Sequence, residues 1–331
     1  MAVHARPRGV ARLVASPGRA LACAVLAGGA ISVQSYLNGR LGKEAGAPTI
    51  AAAINNLTAF VATFAIVLAT RAIPRARAQL RALGGVPPWY YLGGFGGAAL
   101  VLVSTVAAPE VGVALLTVAL VCGSTLGSLP VDAAGLGPSG RRPITIPRLA
   151  GVLLAVAATV ISARGARSDP NVLLLALALA AGLGLSLQAA ANGQLARATG
   201  EPWAASLVNV AVGLATLGAV ALVTLATSSV DGMPDTPLLY AGGLFGAFVV
   251  VIGAAAVQTL GIVRLGLAMV AGQTTGALVV DLIAPAAGEP VTAATVIGVM
   301  LTMIAVAVSG RGQPEAAPRE AVGRAAAESA R

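Results

Sequence analysis

The chain is short of charge. Only 10% of its 331 residues are Asp, Glu, Lys or Arg, against roughly 25% in soluble domains. Eighteen of these charges fall in four stretches, 6–19, 71–81, 141–148 and 311–331, so the remainder is nearly charge-free. A soluble enzyme needs a charged surface and is excluded. Aromatic residues are only 3%. The net charge of +9 lies in Arg clusters between long apolar runs, which reads as an orientation signal and excludes nucleic acid as a partner. The one histidine, His4, lies near the N-terminus, so no metal site can be assembled from the His and Cys inventory. Cys23 and Cys122 both sit inside apolar runs and read as small core residues rather than as a disulfide. Internal acids are few and no nucleophile–base pair is evident, so neither an enzyme nor a cofactor is expected.

What the chain has is apolar length. Hydrophobic residues make up 57% of it, and the mean hydropathy is +0.88. A membrane helix takes about 20 mostly apolar residues. Ten candidates follow: 20–38, 49–70, 89–107, 111–134, 147–163, 171–191, 203–226, 238–257, 261–284 and 292–309. The expected class is an all-α polytopic membrane protein. A basic N-terminal tail (1–19) and an Ala-, Glu- and Arg-rich C-terminal tail (310–331), expected to be disordered, flank the spans. With the N-terminus cytoplasmic, inside segments carry 17 Lys and Arg and outside segments four, which orients both termini inward.

The chain repeats itself. Gln34, Asn38, Pro48 and Asn55 recur 154 positions later as Gln188, Asn192, Pro202 and Asn209. Gly93, Gly97, Gly112, Gly123, Gly127 and Asp132 recur 149 positions later as Gly242, Gly246, Gly261, Gly272, Gly276 and Asp281. Ser162 and Ser309 close the match at 147. The repeats are expected over 20–163 and 171–309, joined by a linker at 164–170. Each carries five spans. Five is odd, so the second copy enters the membrane from the opposite side, an inverted-topology repeat of the kind built into secondary transporters. The pairs Gly93/Gly97, Gly123/Gly127, Gly242/Gly246 and Gly272/Gly276 are spaced for close helix packing.

At these residues the chain resembles a known family. The string Q-x-x-x-N-G-x-L-G (34–42), the A-P-x-x-A-A at 47–52 with Asn55, the G-Q-x(7)-D of 272–281 and the D-x-x-G-L-G of 132–137 resemble YdcZ-type members of the drug/metabolite transporter superfamily, in their double-copy form. The first half departs from the pattern with Ser124 where the G-Q motif would place Gln, and the second reads DLIAPAAG over 281–288. The resemblance implies an exporter of the bacterial inner membrane. The partners expected are a small-molecule solute and the lipid bilayer, with a homo-oligomer left open. A membrane protein that binds a partner without transporting is the alternative.

Polar residues inside spans are the site candidates. Gln34 and Asn38 are four apart on one helix face, as are Gln188 and Asn192, with Asn55 and Asn209 in the following spans. They read either as mutually bonded helix caps or as the lining of a pathway. The candidate spans end at 38 and 191, which places the first group toward the outside and the second toward the cytoplasm. Two placements of the acids follow. Either Asp281 stands beside Gln34, Asn38 and Asn55, and Asp132 beside Gln188, Asn192 and Asn209, as one gate per membrane face, or each Asp lies at the interface, solvated or capping the next turn. Gln258, Gln273 and Thr274 are expected to line a central cavity suited to an uncharged or zwitterionic solute. Glu110, after Pro109, is expected to open the fourth span.

Overall fold

The computed structural model describes residues 14, 16–138, 140–165, 171–227, 232–286 and 290–311, without the side chains of 254, 257, 258, 262 and 263. Most of the two expected tails and of the linker lies outside these residues. The helices are α1 (Pro17–Glu44), α2 (Pro48–Thr70), α3 (Ala72–Ala82), α4 (Gly93–Val111), α5 (Val113–Ala133), α6 (Ile146–Arg164), α7 (Val172–Thr199), α8 (Pro202–Thr227), α9 (Gly242–Ile283) and α10 (Ala293–Arg311). No strand occurs among the described residues. All but α3 are apolar and belong to the spans. α3 is a short basic helix in the connection between α2 and α4.

Helix starts follow local chemistry. Pro17 with the Ser16 cap opens α1, proline opens α2 and α8, and Asn171 Oδ1 accepts from Leu173 and Leu174 N–H at the start of α7. The α4/α5 pair is divided at Gly112, with φ 84° and ψ 155°. α9 is broken at Gly261 with nearly the same geometry, φ 72° and ψ 168°. Such backbone favours glycine. The two arms of α9, 242–260 and 262–283, therefore correspond to α4 and α5, and the spans number ten. Each pair is preceded by a one-turn 3-10 helix, at Pro88–Tyr91 and Pro237–Ala241.

The halves interlock around a pseudo-two-fold axis. α1 lies along both arms of α9, and α7 lies along α4 and α5; α2 meets α8, and α6 meets α10. The symmetry holds at the level of atoms. Ser32 Oγ donates to Gln273 O at 2.6 Å, and Ser186 Oγ donates to Ser124 O at 2.7 Å. A Cβ on Gly123 would strike Leu179 O, and one on Gly272 would strike Val25 O, its counterpart. Gly151 faces Ser309 Oγ and Gly298 faces Ser162 Oγ in the same way. Bare glycine surfaces let these backbones touch, since apolar burial drives no association within lipid. Gly272→Val is expected to push α9 off α1 at a cost of about 1–3 kcal/mol or more, read as a lower detergent melting temperature, while Gly253→Val, with open space at its Cβ, should leave it unchanged.

Large apolar side chains face outward, among them Leu26, Leu153, Val172 and Leu222. Soluble proteins rarely expose such a belt; a bilayer covers it.

Candidate functional site: a carboxamide cavity between two broken helices

The site is built on helix length. α1 and α7 each run 28 residues, well past the ends of the candidate spans at 38 and 191. At a rise of about 1.5 Å per residue, Gln34 and Gln188 lie within about 5 Å of their helix midpoints. The expected division of the two carboxamide groups between opposite membrane faces is thereby corrected. Gln34, Asn55, Gln188 and Asn209 line one cavity of about 210 Å³ between α1, α2, α4, α7, α8 and α9.

Each carboxamide group rests on the glycines of the opposite half. Asn38 Oδ1 and Asn55 Oδ1 lie where a Cβ on Gly242 would go, and the Gln34 amide lies 3.1 Å from one on Gly246. Asn192 Oδ1 stands over Gly93, and Gln188 Nε2 lies 3.3 Å from a Cβ on Gly97. These four glycines seat polar side chains, whereas Gly123 and Gly272 admit neighbouring backbone. Gln34 Nε2 donates to Asn55 Oδ1 at 3.0 Å. Asn55 Nδ2, Gln188 Oε1 and Asn209 Oδ1 are buried without a partner among the described residues.

The acidic candidates stand elsewhere. Asp281 accepts from Val113 N–H at 2.9 Å and Ala114 N–H at 2.7 Å, capping α5 at the Gly112 break. It does not join Gln34, Asn38 and Asn55; it floors a separate vestibule of about 230 Å³ with Tyr36, Arg40 and Lys43. The expected gate built from Asp281 and those carboxamides is corrected accordingly. The fourth span also opens differently: α4 continues through Pro109 and Glu110, and the N-terminus beyond Gly112 is served by Asp281 from the other half.

Asp132, the counterpart of Asp281, is bound to Arg148 of α6, with Nη2 and Oδ2 2.6 Å apart. It is not gathered with Gln188, Asn192 and Asn209 around the cavity. Arg148 is 3% exposed and also donates to Ser128 O at 3.3 Å. No described atom lies within 4 Å of a Cβ on Gly261. At that end a crevice of about 270 Å³ runs between α5, α9 and α10, lined by Ser124, Thr125 and Ser128 among others. The two breaks thus differ: one is capped across the halves, and at the other the matching carboxylate is held by a cation.

Thr274 is fully buried and donates to Val270 O and Ala271 O of its own helix. Neither it nor Gln273 is among the residues lining the cavity, so their expected place there is corrected. The side chain of Gln258 lies outside the described residues. Three residues were missed from the sequence. Asn56 and Thr63 line the cavity, and the position of Asn56 beside Asn55 was a usable signal. Arg148 was counted only as a loop charge, although it falls inside the span expected at 147–163.

The family model described as "Putative inner membrane exporter, YdcZ" matches residues 20–161 and, a second time, residues 173–308. No curated protein matches the chain. The double match coincides with the two five-span halves that meet around the cavity. The chain therefore belongs to the YdcZ family of inner membrane exporters, within the drug/metabolite transporter superfamily, and carries the family's repeat twice.

Proposed function

We propose that the protein exports a small solute by alternating access, with the solute held in the carboxamide cavity between the halves. The observation that carries this reading is the single cavity lined by carboxamides from both repeats, with Gln34 and Gln188 near mid-helix. With both termini cytoplasmic, the Gly112 break faces outward and the Gly261 break inward. Asp281 then closes the outer end by tying α9 to the start of α5. Exchange of conformations between two like halves exposes the site first to one side and then to the other. In the exchanged state Asp132 leaves Arg148 and caps the backbone after Gly261, while Asp281 lets go of Val113 and Ala114.

The test places a cysteine at Val250, which lines the cavity, in a Cys23→Ala/Cys122→Ala background. A membrane-impermeant maleimide should label it from outside in right-side-out vesicles and from the cytoplasmic face in inverted ones. Labelling from one face only, or from neither, would point to a non-transporting membrane protein.

A further inference from the structure

Among the described residues the cavity is lined by no charged group. Its polar lining is Gln34, Asn55, Asn56, Gln188, Asn209 and Thr63; the remaining described lining is aliphatic or glycine. The nearest acid of the gating pair, Asp281, spends both carboxylate oxygens on the α5 backbone. An ion entering such a site would lose its water with no counter-charge in return, which is costly at membrane depth. The cavity therefore discriminates by charge before it discriminates by shape.

The carboxamides specify more. Gln34, Asn55, Asn56, Gln188 and Asn209 each carry one acceptor oxygen and one N–H₂ donor. A carboxamide can turn over and exchange its oxygen for its nitrogen. Whichever way each one faces, the set as a whole presents donors and acceptors together. A carboxylate offers only acceptors and an ammonium only donors, so neither satisfies it. A group carrying C=O and N–H₂ on one carbon does so in either orientation.

Resting on the reading of this cavity as the solute site, we infer that the transported solute is small and uncharged, with a primary amide or ureido group against the carboxamides and an aliphatic body against the aliphatic part of the lining. The amide bonds carboxamides of the lining, Gln188 and Asn209 among them. The aliphatic part lies against Ile31, Leu100, Val101, Val249 and Val250, where a solute that is polar all round would leave its own groups unpaired.

Three isosteric probes test this: isovaleramide, isovalerate and isoamylammonium. Each is added to the full-length Val250→Cys protein, and protection from maleimide is followed alongside the thermal shift of the wild type. Isovaleramide should slow labelling and raise the melting temperature, and the two ions should do neither. Asn209→Ala or Gln188→Ala should weaken the amide's effect about tenfold, as expected for one lost hydrogen bond. Equal protection by either ion overturns the inference. So does the failure of all three probes while Val250→Cys is still labelled from both faces, a result that leaves the transport reading standing. One-sided labelling overturns the transport reading and this inference with it. The free melting temperature of each variant separates loss of the site from loss of the fold.

Discussion

Asp132→Ala is expected to be the most damaging single substitution at the polar positions, lowering stability by about 3–5 kcal/mol, the usual cost of orphaning a buried charge. The reason is the burial of its partner. The Arg148 side chain is 3% exposed and Asp132 is 23% exposed. Without Asp132 the guanidinium keeps only the carbonyl of Ser128, at 3.3 Å. Arg148→Met should cost less, because the partly exposed carboxylate can recover water and methionine refills the space. The double variant Asp132→Ala/Arg148→Met should then be more stable than Asp132→Ala alone. Denaturation of the four proteins in one detergent gives the cycle directly. If Arg148→Met proves the worse of the two, or if the double variant shows no recovery, the pair is not coupled as its geometry requires.

Asp281→Ala should act on the conformational balance more than on the fold. Asp281 caps Val113 and Ala114 in the state described here and, on the alternating-access reading, releases them in the other. Its removal takes two charge-assisted bonds from one state only, each about 1.5–3 kcal/mol. With water recovering part of that, a bias of about 2–3 kcal/mol shifts the ratio of states by roughly 30- to 150-fold. Maleimide labelling of Val250→Cys from the outer face should rise strongly, and labelling from the inner face should fall. Asp281→Asn keeps one acceptor oxygen and should fall between. Unchanged outer labelling in Asp281→Ala would show that the carboxylate is not the closure.

The second cap in the cycle explains why the halves are not interchangeable. The match of Gly151 with Gly298 puts Thr295 at the place of Arg148. Of the two carboxylates, only Asp132 is ion-paired among the described residues, and only Asp281 caps a break. On the alternating-access reading, Arg148 biases the protein toward the arrangement in which the Gly112 end is tied. Arg148→Met should raise inner-end capping and lower labelling of a cysteine placed at Ser128, which lines the crevice there; unchanged or increased labelling at Ser128 would count against the bias.

Much of this was legible before any coordinates. Gln34 and Gln188, Gly112 and Gly261, and Asp132 and Asp281 announce the duplication by their offsets, because polar and glycine residues are too rare in apolar spans to coincide by chance. Scarcity of charge fixes the class for the same reason. The positions of the carboxamides were misjudged because a span was ended where the apolar run weakens. A helix continues as long as its backbone bonds are made, and α1 and α7 continue to Glu44 and Thr199. That extension moves Gln34 and Gln188 from the membrane faces to the middle.

The sequence by itself determined the membrane class and the doubled unit, and it singled out four of the carboxamides that line the cavity. Only the tertiary structure decided what those residues touch. Asp281 bonds backbone N–H groups of Val113 and Ala114, which carry no side-chain signature, since every residue but proline has one. Arg148 reaches Asp132 across a loop, and the two carboxamide groups meet only because the halves cross at α1 and α7. Periodicity and composition record what each helix buries, and partner choice across a two-fold axis depends on where the helices stand.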